Sequence, residues 1–162
     1  MASLFTVLFL ASCASGPIKP EVELADLSVK ELRAGIVERQ VTELPSSNVL
    51  WGGLILNTQN LEDGSQIEVM AYPLDRRQRP MLAREPHGRF LVRYDSFLEP
   101  LDYAEGRAIS LSGEIAGITD GTVGEATYQY PTVVATDLHL WREDELHNKP
   151  RLLFGIGVNL EL

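Results

Sequence analysis

The sequence predicts a mainly β fold: a small antiparallel barrel of five or six strands, preceded by a short N-terminal helix. Three observations predict it. Short runs of alternating apolar and polar residues recur between residues 49 and 141, the two-residue period of strands with one buried face. Asp63-Gly64 and Asp120-Gly121 are hairpin-turn dipeptides. Gly52-Gly53 interrupts the first run, where missing side chains permit the coiling that a closed barrel demands.

The elements follow in order. Residues 26–40 carry helix signals: Ser28 stands as an N-cap with Glu31 three residues on, the spacing of a capping box. Leu32, Ile36 and Val37 would form the buried face, and Gly35 limits the length. Strands are expected at 49–57 and 66–72, joined through Asp63-Gly64, with Ile67, Val69 and Ala71 alternating against Glu68, Met70 and Tyr72. A third strand at 89–94 sets Phe90, Val92 and Tyr94 on one face. The fourth, 108–117, points Ile109, Leu111 and Ile115 inward and Ser110, Ser112 and Glu114 outward, with a turn expected at Asp120-Gly121. The fifth, 132–141, places Val134, Leu138 and Leu140 toward the core and Asp137 and His139 opposite. A last apolar run at 152–160, containing Gly155 and Gly157, suits an edge strand. Three meandering strands, a longer connection and two more strands are compatible with an OB-like Greek-key barrel.

Charge narrows the function classes. The chain has 14 Lys and Arg against 23 Asp and Glu, a formal net charge of -9. A polyanion is repelled by nucleic-acid phosphates, so no nucleic-acid partner is expected, and charge alone would not adsorb it to anionic lipid. With one cysteine, no internal disulfide can form.

That cysteine ends a hydrophobic leader. Residues 4–10 read Leu-Phe-Thr-Val-Leu-Phe-Leu, followed by Ala11, Ser12 and Cys13. The run is far shorter than the roughly 20 residues of a spanning helix and suits a signal-peptide core followed by small residues. Leu10-Ala11-Ser12-Cys13 resembles a bacterial lipobox. The resemblance implies cleavage before Cys13, diacylglycerol on its sulfur and a further acyl chain, such as palmitate, on the new amino terminus. Two or more chains hold a protein stably at a bilayer where one does so reversibly. By resemblance to other lipoproteins, a residue other than aspartate after the cysteine, here Ala14, implies export to the outer membrane, and the periplasmic side is the expected one. The expected organisation is a signal peptide over 1–12, a lipidated cysteine and tether over 13–25 with Gly16, Pro17 and Pro20, and a β-barrel domain over 26–162.

Chemistry-bearing residues are sparse. His87, His139 and His147 form no zinc-protease motif, and with no second cysteine only carboxylates could complete a metal site. His139 and Asp137 share a strand face, which could orient an imidazole, but an exposed polar pair on a barrel wall is the preferred reading. No Gly-x-Ser-x-Gly elbow or phosphate-binding glycine loop occurs. The chain is therefore expected to be no enzyme and to hold no cofactor or metal. Glu62-Asp63 and Glu143-Asp144-Glu145 read as solvated loops. Arg76, Arg77 and Arg79 put three guanidinium groups in four residues. Such forks suit phosphate or carboxylate, on lipopolysaccharide or an acidic partner, and also occur in solvated turns that balance nearby carboxylates, which is the preferred reading. Tyr94, Phe97, Tyr103, Tyr128 and Tyr130 could line a groove for a small ligand or glycan, although most are expected to pack in the core and at the barrel ends.

Taken together, the lipobox, Val49-Leu-Trp-Gly-Gly-Leu-Ile, Ile67-Glu-Val-Met-Ala-Tyr-Pro-Leu-Asp75 and Gly88-Arg-Phe90 resemble the Slp family of outer-membrane lipoproteins. The likeness continues through Phe97-Leu-Glu-Pro-Leu-Asp-Tyr103, Gly106-Arg107, Gly113 and Tyr130-Pro131 to Leu138-His-Leu-Trp141. It implies a lipid-anchored outer-membrane protein associated with starvation or stress. With no catalytic constellation in the sequence, a non-enzymatic role is expected, through an envelope partner that could be a protein, lipopolysaccharide or a glycan. The resemblance supplies no site residue beyond Cys13.

Overall fold

The computed structural model describes residues 16–38 and 46–146. Its elements are α1 (Val29–Val37), β1 (Asn48–Leu61), β2 (Gly64–Ala71), β3 (Arg89–Tyr94), β4 (Ala108–Val123), β5 (Ala126–Leu140) and one turn of helix, α2 (Glu143–Leu146). The strands close into a barrel in the order β1-β2-β3-β5-β4, with β4 returning to β1. The expected sixth strand, at 152–160, lies outside the described residues.

The expectation of a purely antiparallel barrel is corrected by the β3–β5 pairing, which is parallel through Leu91↔Thr132, Val92↔Val133 and Arg93↔Val134. The reason is arithmetic. A closed ring with an odd number of strands cannot alternate direction at every junction, so one neighbouring pair must run the same way.

The barrel interior is filled by Val49, Ile55, Ile67, Val69, Phe90, Val92, Ile109, Leu111 and Val133, all at 0% exposure. Each of the larger side chains contributes roughly 1.5–3 kcal/mol by leaving water. Trp51 meets Phe90 edge-on with centroids 5.3 Å apart. Its indole N–H donates to the Leu27 carbonyl at 2.7 Å, tying the entry of α1 to the barrel. The Ser28–Glu31 capping box forms in both directions. α1 buries Val29, Leu32 and Ile36 in the common core, whereas Val37, expected on that face, is 72% exposed. Positions 29, 32 and 36 lie on one helical stripe, and Val37 falls one residue past it.

Three expectations about the last hairpin are also corrected. Asp120-Gly121 is no turn: both residues pair inside the hairpin, with Gln129 and Tyr128, and the reversal lies at Gly124, whose φ is 60°. A Cβ on Gly121 would stand 3.0 Å from the Tyr130 ring, so glycine there makes room for an aromatic side chain rather than for a bend. On β5 the buried residues are Val133 and Ala135, while Val134 is 44% exposed. Ser112 pairs with Asp137 and Gly113 with Ala135, leaving Thr136 as an extra, bulged residue. The bulge resets the alternation, so Leu138 and Leu140 pack against the core as expected while Val134 does not. Ser110 and Ser112, expected to face outward, are nearly inaccessible, because further chain covers that wall.

Gly53 and Gly113 show why close approach matters here. A Cβ on Gly53 would sit 1.8 Å from the Met70 carbonyl oxygen, and one on Gly113 would sit 2.2 Å from that of Val134. Neither strand pair could stay at its present spacing with a side chain at these positions.

Candidate functional site

Two loops carry the exposed residues singled out from the sequence, and both are held rigidly. The first joins β3 to β4. Ser65 of β2, 2% exposed, shares its one hydroxyl proton between the Ser96 carbonyl at 2.8 Å and Asn60 Oδ1 at 2.5 Å. The same hydroxyl and Asn60 Oδ1 both accept from the Leu98 N–H at 3.1 Å, and Asn60 Nδ2 donates to the Leu98 carbonyl at 2.9 Å. Thr58 Oγ1 donates to the Tyr103 carbonyl at 2.8 Å. Leu98 is buried in the core, so the loop is nailed down at its middle. Around that point Phe97 is 67% and Leu101 85% exposed.

The second loop follows β2. Asp75 Oδ1 accepts from the backbone N–H groups of Arg77 and Arg79, and Oδ2 receives the Arg79 guanidinium at 2.7 Å. Partial burial of Asp75 favours its neutral form, but these bonds from Arg79 and Arg77 outweigh it and lower the pKa below the ordinary aspartate value. Arg79 also donates to the Glu145 carbonyl at 3.0 Å. It therefore serves the loop itself, while Arg76 and Arg77 stay exposed. Gln78 sits between them at a positive φ of 67°, an uncommon conformation for a side-chain-bearing residue. Its carbonyl accepts from Ser110 Oγ at 2.5 Å, and Ser110 Oγ accepts from the Trp141 indole at 2.9 Å.

The five aromatic candidates do not come together as one groove, although the Tyr128 and Tyr130 rings lie 4.6 Å apart. Tyr94 and Tyr103 pack against the barrel core, and burial raises the Tyr103 phenol pKa. Tyr130 stands on the outer wall, where its hydroxyl donates to the Thr122 carbonyl and to Glu68. Burial first, then the Glu68 charge, raises its pKa. Tyr94 lines a pocket of about 190 Å³ with Leu61, Asp63, Ser65, Arg93, Asp95 and Val134, none of them another aromatic candidate.

An outer-wall network escaped the sequence reading. Glu68 and Arg89 form a 2.7 Å ion pair, and the Arg89 pKa is raised chiefly by that hydrogen bond. The Tyr128 hydroxyl accepts from the Arg89 N–H at 2.8 Å, and Arg33 of α1 lies 4.3 Å over the Tyr128 ring. Glu68 and Arg89 are staggered by two positions on neighbouring strands, a relation visible only once the register is known.

The histidines are separated. His87 lines a pocket of about 200 Å³ beside Ser28, Trp51 and Tyr72. His139 packs edge-on against Trp141 at 4.3 Å, with Nε2 buried and without a hydrogen-bond partner. Asp137 accepts from Ser112 Oγ at 3.1 Å, and Ser110 donates to the backbone of Gln78. Neither serine hydroxyl is engaged with the imidazole. His147 and Cys13 lie outside the described residues. Among the described residues no three His, Cys, Asp or Glu side chains converge as metal ligands.

The small closed barrel with two braced loops stands in a chain whose residues 10–13 resemble a lipobox. The chain belongs to the outer membrane lipoprotein Slp family, whose family model matches residues 10–154. It is 30% identical to an uncharacterized protein of Haemophilus influenzae, over 93% of this chain and 83% of that one. It is 24% identical to the outer membrane protein Slp of Escherichia coli, over 91% of this chain and 77% of that one. The uncharacterized lipoprotein YeaY of the same organism is 30% identical over 56% of this chain and 47% of its own length. Among solved structures, the mitochondrial single-stranded DNA-binding protein Rim1 of S. cerevisiae aligns with a TM-score of 0.37 and 12% identity, covering 59% of this chain and 94% of that one. Likeness at that level transfers neither fold nor ligand. The family makes this an outer-membrane lipoprotein.

Proposed function

We propose that the chain, lipidated on Cys13 after loss of residues 1–12, holds an OB-like barrel at the outer membrane, where it works by binding another envelope protein rather than by catalysis. The strand order, closed on itself with one parallel junction, supports the OB-like reading. The family resemblance supports a setting of starvation or envelope stress. The observation that carries the binding role is the β3–β4 loop. Five side-chain bonds from Asn60, Ser65 and Thr58 fix its backbone, yet Phe97 and Leu101 remain in water. Burying two such side chains would release roughly 3–6 kcal/mol, and a braced loop loses little further freedom on docking.

A photo-crosslinking amino acid at position 97 or 101, in cells with the native membrane, tests this. The expected result is a discrete adduct with an envelope protein, with none from a control at Glu125, an exposed residue in the β4–β5 turn. Adducts with lipid alone, or a pattern equal to the control, would remove the reading.

A further inference from the structure

The segment leading out of the anchor is fastened to the barrel almost at once. Ile18 is 5% exposed, and the Gln78 side-chain amide grips its backbone from both sides. The Ile18 N–H donates to Oε1 at 2.9 Å and Nε2 donates to the Ile18 carbonyl at 2.8 Å. Gly16 lies so close that a Cβ there would stand 2.2 Å from the Gln78 side chain. Farther along, Leu24 bridges to Asn48 and the Ala25 N–H donates to the Asn48 carbonyl at 2.7 Å. Residues 16–25 are therefore a strap on the domain wall.

Covalent geometry then sets a short leash. Cys13 and Ile18 are five residues apart, so their Cα atoms can separate by no more than about 18 Å even when fully extended. Gly16 can lie no more than about 11 Å away. The residue that clamps this strap, Gln78, immediately follows Arg76 and Arg77, which are exposed and make no ion pair among the described residues. The clamp and the basic pair belong to one braced loop, so what holds the strap near the lipid also holds the two guanidinium groups near it. Asp75 pairs with Arg79, and Asp144 and Glu145 of the neighbouring α2 pair with Arg142, so on a chain of net charge -9 the loop presents Arg76 and Arg77 as cations near the anchor.

We propose that the barrel is docked on the phospholipid leaflet that carries its anchor, with the Arg76–Arg77 loop against anionic headgroups. The inference rests on lipidation of Cys13. The strap limits the distance and the arginines select the orientation. Each cation near an anionic surface favours the docked state roughly fivefold, and guanidinium forks match the phosphate oxygens.

The test uses the full acylated protein reconstituted into vesicles. Because Cys13 would be blocked by acylation, an introduced cysteine would be its one free thiol. A fluorophore is placed at Arg76→Cys, which leaves Arg77 as the exposed cation of the pair, or, as the control, at Glu125→Cys. Quenching by a headgroup-attached quencher is read in vesicles of phosphatidylethanolamine and phosphatidylglycerol. Quenching at position 76 should exceed that at 125 by threefold or more. The excess should fall severalfold when Arg77→Glu is added, and again when the vesicles are purely phosphatidylcholine. Equal quenching at the two sites, or an excess untouched by both changes, would overturn the docking. Flotation of the same preparations with the vesicles reads the anchor separately. Protein that fails to float indicts lipidation, whereas protein that floats with equal quenching indicts the orientation alone.

Discussion

Ser65→Ala is the most informative single change in the braced β3–β4 loop. The hydroxyl is nearly inaccessible and serves Ser96, Asn60 and Leu98. Its removal leaves the Leu98 N–H still bonded to Asn60 Oδ1 at 3.1 Å, but it deprives the Ser96 carbonyl of this donor. Each hydrogen bond lost costs about 0.5–1.5 kcal/mol, so losing the one this hydroxyl donates and the one it accepts from Leu98 comes to about 2 kcal/mol. In a domain of this size each kcal/mol moves the melting temperature by roughly 2–4 °C, so a fall of about 4–8 °C is expected. Circular dichroism melting curves of Ser65→Ala, Asn60→Ala and the double variant form the assay. The two residues bond each other and share the Leu98 N–H, so the loss in the double variant should differ from the sum of the single losses by about 0.5 kcal/mol or more, in either direction. A melting temperature unchanged within 1–2 °C, or strictly additive losses, would show that the loop is not held in this way.

Other consequences are distinct. Gly53→Ala should destabilise by about 1–3 kcal/mol or block folding, because the new Cβ meets the Met70 carbonyl at 1.8 Å; urea denaturation checks it, and a wild-type midpoint would contradict the β1–β2 spacing. Phe97→Ser with Leu101→Ser should change stability by less than about 0.5 kcal/mol per site, since both side chains already face water; a large loss on melting would mean that they serve the core instead. The Asp75 carboxyl pKa is lower in the folded protein than the ordinary 3.8, so its contribution is present above that value and is lost as pH falls through the lower folded value. Acid titration of stability should accordingly show a smaller loss below about pH 4 in Asp75→Asn than in the wild type, and identical curves would deny the carboxylate this role.

Local pattern made the first half of the barrel legible. Ser28 with Glu31, the first hairpin and the alternation around Ile67 and Phe90 are decided by near neighbours, and the structure forms them, with the reversal at Glu62-Asp63 and Gly64 opening β2. The last hairpin was not legible for a physical reason. Gly121 reads as a turn, but its missing side chain accommodates the Tyr130 ring from the opposite strand. Thr136 shifts the facing of every following residue by one, and nothing in the residue itself announces a bulge. Arg76 and Arg77 were visible as a basic loop. The Gln78 clamp on Ile18 was not, since it joins residues 60 positions apart through an amide that sequence pattern treats as merely polar. The parallel β3–β5 junction is likewise a property of the closed ring, not of either strand.

The intact mass of the protein recovered from outer membranes tests the lipid anchor most directly. The expected species begins at Cys13 and carries a diacylglyceryl thioether and an amide-linked acyl chain, while Cys13→Ser yields no acylated form. A mature chain with a free, unmodified Cys13 thiol, found in the soluble periplasmic fraction, would contradict it.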